Sequence, residues 1–147
     1  MAADGTYGAT AAIRKLQAMS ARLNDLSPVQ IAIKREGERE VSEAFRNQRS
    51  PAGKQWRATQ HGGPADPEGH LQAQIEVVVD GKHRVMFTGP TWLRAWMSGG
   101  THDGKSGRPP KRNPLPLEKD GSGRYALNPR MSKFVVKTVR DHVTGAR

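Results

Sequence analysis

Eight residues, Gly99-Gly100-Thr101-His102-Asp103-Gly104-Lys105-Ser106, satisfy the spacing G-x-x-x-x-G-K-S. In that pattern backbone N–H groups cradle nucleotide phosphates and the lysine reaches the outer ones. Ile75 to Asp80 even supplies an apolar run ending in Asp, of the kind that often accompanies such a loop. The chemistry requires a strand before the loop and, after it, a helix whose first-turn N–H groups hold the anion. Here Gly107-Arg108-Pro109-Pro110 follows, and two prolines cannot open a helix with free N–H donors. Asp80-Gly81 reads instead as a hairpin turn. The match is formal, and no nucleotide-hydrolysing site is expected.

Other reactive constellations are weaker. The five histidines, His61, His70, His83, His102 and His142, show neither H-x-H nor H-E-x-x-H spacing, so they read as isolated surface residues and no metal site is expected. No serine sits in G-x-S-x-G, and no two carboxylates occupy positions where one helix or strand would make them converge. The chain has no cysteine, which removes disulfides, thiol catalysis and every zinc site needing Cys. The expectation is a protein that is not an enzyme, with no catalytic residues, no cofactor and no small-molecule substrate.

The residue types that stand out are large anchors set among turns and charges. Pro51 and Gly53 in Arg49-Ser50-Pro51-Ala52-Gly53-Lys54-Gln55-Trp56-Arg57 make a sharp bend, and the Trp56 indole must be buried or given a polar partner. Before it, Ile13, Leu16, Met19, Leu23 and Leu26 recur at helical spacing and predict a first helix over residues 7 to 23, within an N-terminal segment 1–26. Ser27-Pro28 reads as a helix start, with the Ser27 hydroxyl as cap, and a second helix is expected to run to about Gln48. In it Val29, Ile33, Gly37, Val41 and Phe45 follow at steps of four, flanked by Ala32 and Ala44, which makes a core stripe. Gly37 costs about 1 kcal/mol of helix propensity relative to Ala, so its place on the stripe suggests that another backbone crosses closely. Lys34, Arg35, Glu38, Arg39 and Glu43 on the opposite face can pair along the helix.

Residues 49 to 70 hold too many glycines and prolines for a regular element and read as a loop pinned by Trp56. Leu71 to Val79 and Arg84 to Thr88 then predict two strands joined by a two-residue Asp80-Gly81 turn. Thr91 to Met97 predicts a short helix capped by Thr91 and closed by Gly99-Gly100, placing Trp92 and Trp96 on one face. Residues 99–124 read as a long basic loop, and Asn128-Pro129 opens a last helix over 129–143. Met131, Phe134, Val135, Val139, His142 and Val143 share one broad side of it, with Arg130, Lys133, Lys137 and Arg140 on the other.

Length and charge bound what these elements can build. A chain of 147 residues fits one domain, 1–147, and only 35% of its residues are hydrophobic and 5% aromatic, against 16 Gly and 10 Pro. The core is therefore modest and the irregular segments call for a partner to order them. Of a net charge of +10, residues 101–147 carry +7. That third is where a polyanion or an acidic protein would dock, through Lys105, Arg108, Lys111, Arg112, Arg130, Lys133, Lys137 and Arg140, or else it is a solvated face. Nothing approaches the roughly 20 apolar residues of a membrane span, and Met1-Ala-Ala-Asp-Gly lacks the pattern of a signal peptide. A soluble protein made in the cytosol, without membrane contact, is expected.

The order Leu26-Ser27-Pro28, Phe45 near a helix end, Pro51-x-Gly53-x-x-Trp56, then Gly69-x-Leu71 before a hairpin resembles the virion morphogenesis, or tail completion, family of tailed bacteriophages, of the Mu and P2 type. Trp92 to Gly100, Arg112-Asn113-Pro114-Leu115 and the Pro129 to Val143 helix continue the likeness, which spans roughly residues 24 to 143. The chain departs from the family pattern where Trp92, Ala95 and Met97 stand in place of Tyr-Ala and His-Gln, and where Ala73 and Gln74 replace Ser or Thr. The resemblance implies a non-catalytic structural subunit of a homo-oligomeric ring in the neck, a tail-terminator-like part joining tail to head. Its partners would be other head-tail connector and tail proteins, with the genomic DNA in the channel as a possible contact of the basic groups. Its place would be the virion, and the host cytoplasm during assembly.

Two functional readings follow. In the first the chain is that connector or tail-completion subunit, with Phe45, Trp56, Trp92 and Trp96 as packing or interface anchors. In the second it is a basic nucleic-acid-binding protein acting through residues 101–147. The expected fold is α+β: two N-terminal helices, an antiparallel hairpin extended into a small sheet, a short central helix, and a C-terminal helix packed on the sheet.

Overall fold

The computed structural model describes residues 4–57, 63–98 and 112–146. Among these the order is α1 (Asp4–Asn24), α2 (Ser27–Asn47), a single 3₁₀ turn (Gln72–Gln74), β1 (Glu76–Asp80), β2 (Arg84–Thr88), α3 (Thr91–Ser98), β3 (Leu117–Lys119), β4 (Tyr125–Leu127) and α4 (Pro129–Thr144). The content is α+β, as the periodicities predict.

Helix α2 is the spine. Its stripe buries Val29, Gly37, Val41, Ala44 and Phe45. Pro28 occupies the first turn, but Ser27 is not the cap: Leu26 holds that position, and the Ser27 N–H donates to Asp25 Oδ1 at 3.1 Å. Bonds from Ser27 hold the Asp25 carboxyl below its usual range. At the other end Gln48 adopts φ 51°, and its N–H turns back to the Ala44 and Phe45 carbonyls. What meets Gly37 is a side chain, not a crossing backbone. A Cβ there would lie 3.0 Å from Phe87 Cε1 and Cζ and 3.4 Å from Val77 Cγ1.

Those two residues belong to the first hairpin, in which Glu76 pairs with Thr88, Val77 with Phe87 and Asp80 with Arg84. The register leaves three residues, Gly81, Lys82 and His83, in the connection, so the two-residue turn expected at Asp80-Gly81 is corrected. Gly81 supplies the positive φ, at 65°. Gln30, buried on α2, donates from Nε2 to the Gly81 carbonyl at 2.9 Å and fastens the turn to the helix. The strand run expected from Leu71 is shorter, because residues 72–74 coil into the 3₁₀ turn before β1.

The long loop expected over 99–124 is also corrected in part. Residues 117–119 are strand β3, paired antiparallel with β4 so that Leu117 faces Leu127 and Lys119 faces Tyr125. This second hairpin forms its own two-stranded sheet and does not extend the first. Asp120 closes its turn, its Oδ1 accepting from the Ser122 hydroxyl and from the Ser122 and Arg124 N–H groups, which lower its pKa.

Asn128 caps α4 as expected, its side chain accepting from the Met131 N–H at 2.8 Å. Helix α4 packs along α2, meets β4 and joins the end of α1. Its buried foothold is Met131, 2% exposed.

Candidate assembly surface

The aromatic anchors come together inside the molecule. Phe45 from α2 and Trp56 from the bend meet edge to face at 5.3 Å between centroids, Trp96 of α3 lies 6.2 Å from both, and Trp92 meets Trp96 edge-on at 4.9 Å. With Val41, Ala44, Leu93, Met97 and Leu115 they close the core. The bend is built as its sequence predicts. The Ser50 N–H and Lys54 carbonyl bond at 2.8 Å, Gly53 takes φ 89°, and the Trp56 N–H reaches the Gln48 carbonyl at 2.7 Å. Gln48 is the hub that sequence reasoning missed: its Oε1 also accepts from the Ala65 N–H at 2.7 Å, tying the following loop to the helix end.

The basic residues separate into groups with different surroundings. Arg112 is buried, donating from Nε and Nη2 to the Arg57 carbonyl at 3.3 and 3.1 Å, with its guanidinium 5.3 Å from the Trp96 ring centroid. It is a packing residue, and burial lowers its pKa. Arg130 reaches inward to Glu40 Oε1 at 3.2 Å. Lys133, Lys137 and Arg140 are exposed along α4, Lys137 paired with Asp141. Lys105, Arg108 and Lys111 lie outside the described residues.

Glu40 went unremarked in the sequence, although helical spacing from Gly37 and Ala44 puts it on the stripe. It is 3% exposed, bonded to Arg130 and, also at 3.2 Å, to Arg39. Burial raises its pKa, against the pull of both arginines. Its neighbour Glu36, held by Arg39, is shifted down. Arg39 also reaches Glu43, and Lys34 pairs with Glu38 at 3.7 Å, so the outer face of α2 is laced with ion pairs. His142 Nε2 lies 2.9 Å from the Arg22 carbonyl and 2.7 Å from that of Asp25, joining α4 to the end of α1. Arg22 returns a bond to the Val143 carbonyl at 3.3 Å.

That joint is where α1 meets α4. Residues 8–18 are exposed at every position, and partial burial begins at Met19. Ile13 is 55% exposed, Leu16 64% and Leu23 50%. On α4, Val136 is 53% exposed beside Val135, Val139 and Val143, which line one shallow apolar surface. The amphipathic period of α1 is legible in its residues, but periodicity does not say what covers the apolar side. Eleven helical residues span about 16 Å, and an unsupported helix this short is marginal in water, its stability coming from packing of its apolar face.

The formal phosphate-loop match at 99–106 lies outside the described residues, but what precedes it is helix α3, not the strand such a loop follows. Among the described residues no cluster of His, Asp and Glu is arranged to hold a metal, and no helix is long and apolar enough to cross a membrane. Comparison of the chain with family models, with curated proteins and with solved structures gives no match.

Proposed function

We propose that the chain is a structural subunit that assembles with copies of itself into a ring, serving a tailed-phage neck as a tail-completion, tail-terminator-like part between tail and head. The observation that carries this reading is the uncovered apolar stripe of α1, Ile13, Leu16 and Leu23, on a helix anchored at one end. A heterologous contact that repeats around an axis closes a ring, and a projecting amphipathic helix suits such a contact because it can lie on the next subunit. The resemblance of the Pro51 to Trp56 bend and its flanking helix to the virion morphogenesis family supports a place in the virion. The internal aromatic cluster gives the subunit a fixed body against which such an arm can work.

Native mass spectrometry and negative-stain imaging of the purified protein, alone and with head and tail partners, test the proposal. A closed ring of defined subunit number is the expected result. A protein that stays monomeric under all these conditions refutes it. The nucleic-acid reading has its own support in the exposed Lys133, Lys137 and Arg140 on α4. A monomer that binds duplex DNA, with affinity falling steeply as salt rises, would favour it instead.

A further inference from the structure

A cleft of about 280 Å³ opens between the Ser50–Lys54 bend and strand β3. Trp56, Met97, Leu117 and Tyr125 supply its apolar lining. Its polar lining is Ser50, Lys54, Asn113, Glu118 and Lys119, and two lysines against one glutamate leave it positive.

The outer edge of that strand is largely unpaired among the described residues. Asn128 N–H donates to the Pro116 carbonyl and Asp120 N–H to the Arg124 carbonyl. In an antiparallel ladder such bonded pairs recur at every second residue, so Glu118 faces Ala126 as a bonded pair, while the main-chain groups of Leu117 and Lys119 point away from β4. The Leu117 carbonyl accepts from Asn113 Nδ2. The Leu117 N–H and both main-chain groups of Lys119 have no partner among the described residues. Separately, the indole N–H of Trp56 is buried with no acceptor, and among the described residues no other buried side-chain polar atom is so placed. A buried donor of this kind is costly to leave without an acceptor.

We propose that this cleft binds an extended, acidic segment of a partner protein, which lies along the outer edge of β3 as an added strand. Main-chain bonds to Leu117 and Lys119 would set its register, alternate side chains would enter the apolar floor over Leu117 and Met97, and its carboxylates would meet Lys54 and Lys119. Exposed strand edges otherwise invite unspecific pairing, and a charged edge with a shaped floor restricts what can pair. The inference stands apart from the ring proposal and needs neither self-assembly nor a virion.

The test uses the full chain and a fluorescein-labelled alternating Asp-Val decapeptide, followed by anisotropy. Controls are the alternating Lys-Val peptide and an Asp-Val peptide interrupted by proline. The acidic peptide is expected to bind, the basic one not, and the proline-interrupted one to bind at least about tenfold more weakly, since proline cannot donate to the edge. K54E/K119E, which alters exposed side chains only, should lose about tenfold or more. Lys119→Pro removes an outward N–H without touching the ladder to β4 and should act in the same direction, with circular dichroism to confirm its fold. No binding up to about 1 mM of acidic peptide, a level at which even weak edge pairing shows, overturns the proposal. Binding indifferent to proline in the peptide, or to reversal of the two lysines, overturns it equally.

Discussion

Replacing Ile13, Leu16 and Leu23 together by alanine separates a helix that completes its own subunit from one that completes a neighbour. The three side chains are 55%, 64% and 50% exposed in the single subunit. Full burial of such an aliphatic side chain is worth about 1.5–3 kcal/mol, and half to two-thirds of that is still unclaimed, so each should contribute about 1–2 kcal/mol when covered. Alanine keeps a part of the contact, and the triple variant should lose about 3 kcal/mol per interface. That weakens each subunit contact by about two orders of magnitude. The subunit itself should hardly notice. Alanine is a better helix former than isoleucine and no worse than leucine, and exposed substitutions stay within about 0.5 kcal/mol. Sedimentation velocity across a dilution series reads the assembly, and thermal unfolding at high dilution reads the monomer. Assembly unchanged in the triple variant would refute the reasoning outright. A monomer destabilised by several kcal/mol would refute it from the other side, because the stripe would then be packed within its own chain.

Three further outcomes follow from the interior. Glu40→Gln should leave stability equal or raised at neutral pH, because it removes a buried charge whose pKa burial has raised, while Arg39 keeps Glu36 and Glu43 and Arg130 remains solvated. A raised folded pKa means the native state holds the proton more tightly. Stability from Glu40 is thus greatest below its unfolded value and declines as pH climbs through the folded one. The advantage of the glutamine should vanish in acid, and a variant losing several kcal/mol at neutral pH by denaturant titration would show that the Arg130 bond dominates. Gly37→Ala sets about 1 kcal/mol of helix propensity against a 3.0 Å approach to the Phe87 ring. Overpacking costs about 1–3 kcal/mol, so a net loss of up to about 2 kcal/mol is expected, and a stabilised variant in urea melts would mean that the ring yields freely. Asn128→Ala removes the cap of α4 at a site 2% exposed and should cost about 1–2 kcal/mol, read as a lower thermal midpoint.

Local signals were legible where one residue dictates its own backbone. Pro28 and Asn128-Pro129 each placed a helix start within a residue or two of where it lies, and Gly53 marked the bend. The α2 stripe was legible because five positions share one face. Three things were not. Strands β3 and β4 are three residues each, too short to show alternation, and their turn rests on Asp120 collecting neighbouring donors. The inward turn of Arg112 depends on the Arg57 carbonyl and the Trp96 ring, both remote in sequence, and a charged residue in a basic run gives no sign of it. The bareness of α1 is a statement about what is missing beside it, and a hydrophobic period is the same whether the cover is the chain's own sheet or another molecule.

That last ambiguity bears on how the subunit divides its work. Aromatic stacking, the buried Glu40 pair and the Gln30 and Gln48 bonds all converge on α2, so the body that holds the hairpins and α3 is fixed by contacts remote in sequence. Helix α1 shares in none of them and is joined through Arg22, Asp25 and His142 at the foot of α4. Bonds at a joint fix position while leaving angle less constrained than a packed face would, and on the proposed ring reading that tolerance in the arm and rigidity in the body would let one subunit meet the next. On that same reading the uncharged stripe on the arm and the cationic face of α4 would serve different contacts, the first excluding water between subunits and the second staying solvated until something anionic met it.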